Sequence, residues 1–217
     1  EKSLLSIGSA INELSANSAA TAGPIVELMN RMGGIASQSN ITTAELAAIG
    51  ATADAIGQSM EITGTSMNKF IATLLSNTDQ IAYSLNMDAK ALKDLIANGQ
   101  TMEAMISVFE RMKDMGGISA LAPVMGDLGS EGARMTQLLS AMAKNVGFLR
   151  EQVDLSRDAF EEAISIENEY NVKNENAIAL LERMGNTLAE MWVNSGFVTG
   201  LTWVLKHLND FVKWLAE

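Results

Sequence analysis

An all-α fold is predicted by three observations. Apolar residues recur at three- and four-residue steps along nearly the whole chain, no segment alternates β-branched and polar residues as a strand would, and helix start and stop signals fall between the periodic stretches. A chain of 217 residues is long enough to bury one or two hydrophobic cores without covalent staples. The expected architecture is an irregular bundle of short, glycine-punctuated helices, then a long heptad-patterned helix, then a C-terminal amphipathic helix. The corresponding divisions are 1–130 for a compact core region, 131–192 for the long helices with a coiled-coil-like seam, and 193–217 for an amphipathic tail.

The first helix is set by Leu4, Ile7, Ile11 and Leu14, ahead of a Ser/Ala/Asn-rich stretch. Gly23-Pro24 opens the second, because proline in the first turn of a helix sacrifices no hydrogen bond; Ile25, Leu28, Met29 and Met32 then share a face. Gly33-Gly34 is expected to end it through a left-handed C-cap. Thr42-Thr43-Ala44-Glu45 has the form of a capping box at the head of a helix bearing Leu46, Ile49, Ala53 and Ile56. Ser66 is expected to cap the next helix, with Met67, Phe70, Ile71, Leu74 and Leu75 as its buried stripe. Asp88 caps a helix through Leu92 and Ile96 that stops at Asn98-Gly99, and Thr101 is expected to cap another bearing Met102, Met105, Ile106, Phe109 and Met112. Glycines and Pro123 break the stretch from Met115 to Gly132 into a short helical turn between loops.

Beyond Ser130 glycine becomes rare and the periods lengthen. Leu138, Met142, Val146, Leu149 and Val153 step by four and three. One seven-residue series then runs Ala163, Tyr170, Ala177, Met184, Met191, and its partner runs Phe160, Glu167, Asn174, Leu181, Leu188. This is the pattern of a self-association seam with two polar positions inside it, so the chain is expected to form a homo-oligomer. A helix over 151–191 would be about 60 Å long, so it must either leave a compact core or pack lengthwise along one. Between Arg150 and Glu190 ten acidic and four basic residues leave a balance of -6, more than half of the chain's formal charge of -11.

The composition excludes several chemistries. With no cysteine and one histidine, His207, neither a disulfide framework nor a two-histidine metal site can be built, and no cofactor is implied. Fifteen basic against twenty-six acidic residues oppose binding to nucleic-acid phosphates. Ser66-Met67-Asn68-Lys69 matches the Ser-x-x-Lys string of serine acylases, without the companion strings such enzymes carry. Gly126-Asp127-Leu128-Gly129-Ser130-Glu131-Gly132 lacks the lysine of a phosphate loop and carries two repelling carboxylates. Glu161, Glu162, Glu167 and Glu169 read as the solvated face of a long helix, and Asn40-Ile41-Thr42 overlaps the capping box rather than marking a glycosylation site. No catalytic set emerges, and the chain is expected not to be an enzyme. Fourteen methionines suit irregular cores or adaptable interfaces. Trp192, Trp203 and Trp214 mark a tail whose polar face is not basic, which favours a helix-to-helix interface over a membrane surface. A membrane-active module, channel- or pore-forming through that tail, is the competing reading.

The chain starts Glu1-Lys2-Ser3-Leu4 without an initiator methionine and stops within an apolar periodic run, so it reads as a piece of something longer. The order of its elements resembles the core region of phage tail tape measure proteins, of the kind prophages also carry. The likeness rests on Gly23-Pro24-Ile25-Val26-Glu27-Leu28-Met29-Asn30-Arg31-Met32, on Ile41-Thr42 with Glu45-Leu46 and Ile49-Gly50, and on Gly57 with Glu61-Ile62-Thr63-Gly64-Thr65. It continues through Leu128-Gly129-Ser130-Glu131-Gly132-Ala133-Arg134, Leu138 and Asn145 to the charged helix with Ala159 and Glu167. It departs from the family at Leu85-Asn86-Met87-Asp88, where a glycine is expected before the apolar residue. The resemblance implies a structural virion component that sets tail length during assembly and assists genome delivery. Its implied partners are tail tube subunits, tail assembly chaperones and tail tip proteins. Its implied place is the tail lumen, after assembly in the host bacterial cytoplasm, with membrane contact only through the full-length chain.

Overall fold

The computed structural model describes residues 2–116 and 129–163. Within them the chain is helical, with no strand. The helices are α1 (Lys2–Ala16), α2 (Ala22–Ser39), α3 (Thr43–Ala55), α4 (Met60–Ser76), α5 (Thr78–Ser84), α6 (Ala89–Ala97), α7 (Thr101–Asp114), α8 (Gly129–Lys144) and α9 (Val146–Glu162).

Helix α3 is the axis of the fold. It is rich in alanine and buried around its whole circumference, from Ala44 through Ala53, so its apolar surface is not the single stripe of Leu46, Ile49, Ala53 and Ile56 that periodicity suggests. Small side chains let neighbours approach closely. A Cβ on Gly50 would lie 3.1 Å from the Ile25 Cα of α2, and one on Gly64 of α4 would lie 2.9 Å from the Arg31 Cβ. Helix α2 is therefore gripped by α3 at one point and α4 at another. Its N-terminus is satisfied from a distance: the Thr21 amide donates to Asp54 Oδ2 at 2.8 Å, and the Thr21 hydroxyl to the same oxygen at 3.2 Å. A carboxylate there also meets the positive end of the helix dipole.

The capping box forms as expected, with the Glu45 amide donating to Thr42 Oγ1 at 3.3 Å and the Thr42 amide to Glu45 Oε2 at 2.7 Å. Asp88 Oδ1 likewise accepts from the Lys90 and Ala91 amides, and Gly99 takes the left-handed backbone (φ +75) after α6. Three local signals are overridden by packing. Helix α2 runs through Gly33-Gly34 because Ala36 and Ser39 extend its buried stripe, and it ends instead at Asn40 with φ 56. Helix α4 begins at Met60, with Ser59 at its N-cap; Met60 and Thr63 continue the stripe backward, so Ser66 is an interior buried residue. Thr101 is the first residue of α7 rather than its cap, and its buried hydroxyl has no partner.

The compact body does not stop at 130. Met135, Leu138, Leu139, Met142, Val146, Leu149 and Val153 of α8 and α9 belong to the same core as Ile25, Ile49, Phe70 and Phe109. Helix α8 packs mainly on α4 and α7, and α9 on α1 and α3, so the long apolar series is buried lengthwise along the bundle. The two helices are separated only at Asn145, whose side-chain amide donates to the Ala141 carbonyl at 2.9 Å and competes with the backbone for it.

The continuous helix expected over 151–191 is interrupted. Helix α9 ends at Glu162, and Ala163 adopts φ 54 as a left-handed C-cap, its amide donating to the Ala159 carbonyl at 3.0 Å. Ala159 is buried in the bundle, which ties the end of α9 to the body.

Candidate functional site

Helix α9 opens the acidic stretch of the sequence, and its three faces differ. Leu149, Gln152, Val153, Ser156 and Ala159 point inward, while Glu151, Asp154, Asp158, Glu161 and Glu162 are exposed. Between these faces lie Arg150 and Arg157, seven residues apart and so on one edge of the helix. Opposite them on α7 stand Glu103 and Glu110 with the same spacing.

The four residues interlock. Arg150 Nη2 and Nε donate to Glu110 Oε1 at 3.0 and 3.2 Å, and its Nη1 donates to Glu103 Oε2 at 3.3 Å. Glu103 offers its other oxygen to Arg157 Nη1 at 3.0 Å. Arg157 Nη2 donates to Glu45 Oε1, the oxygen that the capping box leaves free. One residue earlier, the buried Ser156 hydroxyl donates to the Ala44 carbonyl at 2.7 Å. The charged helix is thus clamped to the head of α3 and along one side of α7.

These contacts are unequal. The Arg150 pairs involve side chains 26–46% exposed, so each is worth about 1 kcal/mol or less. Glu45 is only 8% exposed, and a charged hydrogen bond there is worth more, about 1.5–3 kcal/mol. Hydrogen bonding to Glu110 pushes the Arg150 guanidinium above its ordinary value. Burial lowers that of Arg157, but hydrogen bonds to Glu45 and Glu103 outweigh it and the net shift is upward. A raised folded-state value gives stability that is complete below the unfolded value and lost only as pH rises past the folded one. Both arginines therefore hold their charge across the working pH range, and salt rather than base is what weakens the clamp.

The clamp joins three helices, α3, α7 and α9. Both Glu45 oxygens and both Glu103 oxygens are engaged by donors, which suits positioning rather than proton transfer. Among the described residues no group of three or more His, Asp or Glu side chains could hold a metal ion, and no helix is long and apolar enough to cross a membrane. Ser66 of the Ser-x-x-Lys string is 5% exposed within α4. Of the expected seam, Phe160 is half-buried on α9 and Ala163 is the helix-ending cap. Tyr170, Asn174, Ala177, Leu181, Met184, Leu188 and Met191 lie outside the described residues, as do Glu167, His207 and the three tryptophans.

Arg150 and Arg157 are not among the expected site residues. Their seven-residue spacing and the matching one of Glu103 and Glu110 were visible signals, but which helices face each other is a tertiary property. Comparison of the chain with protein-family models, with curated proteins and with solved structures gives no match.

Proposed function

We propose that the chain is the core region of a tail tape measure protein of a phage or prophage, a non-catalytic scaffold that sets tail length and assists genome delivery. One observation carries this reading: several of the residues that bear the resemblance sit at junctions of the fold. Gly50 meets Ile25, Gly64 meets Arg31, Glu45 joins the capping box to the clamp, Asn145 separates α8 from α9, and Ala159 anchors the end of α9. Junctions of this kind are what a shared architecture would preserve. A ruler also has a direct physical basis, since helix length grows by about 1.5 Å per residue.

On this reading the compact body is a folded node within an elongated helical chain. The heptad positions from Tyr170 to Met191 supply self-association, with tail tube subunits, assembly chaperones and the tail tip as partners, and the tail lumen as the site of residence. The acidic balance suits a protein that must leave the tube ahead of DNA without binding it. Mass spectrometry of purified tails tests the assignment. The chain is expected in tails at a few copies for many tube subunits; tails of normal composition without it would refute the reading.

A further inference from the structure

The directions of α1 and α9 are fixed by contacts with the two ends of α3. Thr21, just before α2, donates to Asp54 near the end of α3, so the link between α1 and α2 lies at the C-terminal end of α3. That link is only residues 17–21, and it is folded back on α1: the Ser18 hydroxyl donates to the Leu14 carbonyl at 2.6 Å, and the Ala20 amide to Ser18 Oγ at 3.1 Å. The last turn of α1 is therefore held at the same end. At the other end of α3, the Ser156 hydroxyl donates to the Ala44 carbonyl and Arg157 to Glu45, which seats the last turns of α9 at the head of α3.

Both helices pack along α3, and the contact between them is the most extensive of the described body. Its buried residues run from Ser6 to Leu14 on α1 and from Val146 to Ala159 on α9, with Ile11, Leu14, Leu149 and Val153 fully covered. Since α1 ends where α3 ends and α9 ends where α3 begins, α1 and α9 are antiparallel. The first turn of α1 thus lies beside the last turn of α9, at the spacing of about 8–10 Å between packed helix axes. At that end Ala163 breaks the helix with its left-handed backbone (φ 54).

We infer that the body is a node that the chain enters and leaves at one end, closed by the α1–α9 pair, so that residues 2–163 add almost nothing to the length of the chain that carries them. As a continuous helix these residues would span about 240 Å, whereas the node advances the chain by about 10 Å. Domains whose ends meet in this way can interrupt a longer chain without displacing what flanks them. In a ruler, the helical segments would then set the length, and the body would mark a position along it. This consequence for tails rests on the ruler reading; the placement of the two ends does not.

Pulsed electron resonance distances on the full chain, which has no native cysteine to interfere, test the placement. Nitroxides on Lys2→Cys and Glu162→Cys are expected to lie closer together than those on Lys2→Cys and Gly147→Cys by about 10–15 Å, because about 22 Å of helix separates the two α9 positions. Both α9 positions are exposed, and nothing lies within 4 Å of a Cβ added at Gly147. Equal distances, or the reverse order, would overturn the node. In tails, an in-frame tandem duplication of residues 2–163 is expected to add no more than the diameter of the body, about 40 Å. A gain near 240 Å, the length of those residues as helix, would overturn the claim that the body lies outside the measure. Tails left unchanged even by an insertion of helix would overturn the ruler reading alone, and the label distances would still decide the node.

Discussion

Chains carrying Gly50→Leu are expected to lose cooperative thermal unfolding, because the new side chain has nowhere to go. A Cβ at this position would sit 3.1 Å from the Cα and 3.3 Å from the carbonyl oxygen of Ile25, and backbone atoms cannot rotate aside. Helix α2 would have to move off α3, which is buried on every side and has no other face to offer. Overpacking a core by less than this costs about 1–3 kcal/mol, and a leucine at a backbone crossing exceeds that range, against a total stability of about 5–15 kcal/mol. Circular dichroism melting separates this from a general intolerance of glycine replacement. Gly33→Ala, on the exposed side of α2 with nothing within 4 Å of the added Cβ, is expected to stabilise by up to about 1 kcal/mol. A normal melt for Gly50→Leu would mean that the two helices cross elsewhere.

Phe109→Ala carries the next largest expected effect. The ring is fully buried in α7 and stacks on Phe70 of α4, with centroids 5.2 Å apart and planes 21° from parallel. Removing it leaves a cavity between two helices that are each tied to α8, so collapse around the void is restricted. A cost of about 3–5 kcal/mol follows, which for a chain of this size lowers the melting temperature by about 10 °C. Phe109→Leu retains most of the volume and should recover more than half of the loss. A drop of only a degree or two for Phe109→Ala would show that the ring does not sit at the junction of α4, α7 and α8.

Which features were legible follows from how far apart the cooperating residues lie. The Thr42–Glu45 box and the Asp88 cap involve partners within three residues, and both form as the sequence predicts. Gly33-Gly34, Ser66 and Thr101 carry equally familiar local signals, yet each is outweighed by burial. In α2 and α4 a continued apolar stripe holds the helix together where propensity alone would end or start it. The seven-residue repeat does extend along the sequence, but the backbone turns left-handed at Ala163, and Ala159 just before it is buried in the body. The clamp joins residues up to 112 positions apart, and only the fold brings Glu45 of α3 to Arg157 of α9. The all-round burial of α3 had a sequence counterpart in its run of alanines, which lack the large side chains that would have marked a second face.

The reading of this chain as a ruler is tested most directly by tail length. In a phage or prophage that carries the gene, an in-frame insertion of about 70 helix-forming residues outside the compact body is expected to lengthen the tail by about 100 Å, at about 1.5 Å per residue, and a matching deletion to shorten it equally. Electron micrographs of negatively stained tails would show the shift. Tails of unchanged length in both variants, with the altered chain present in the particles, would contradict the account.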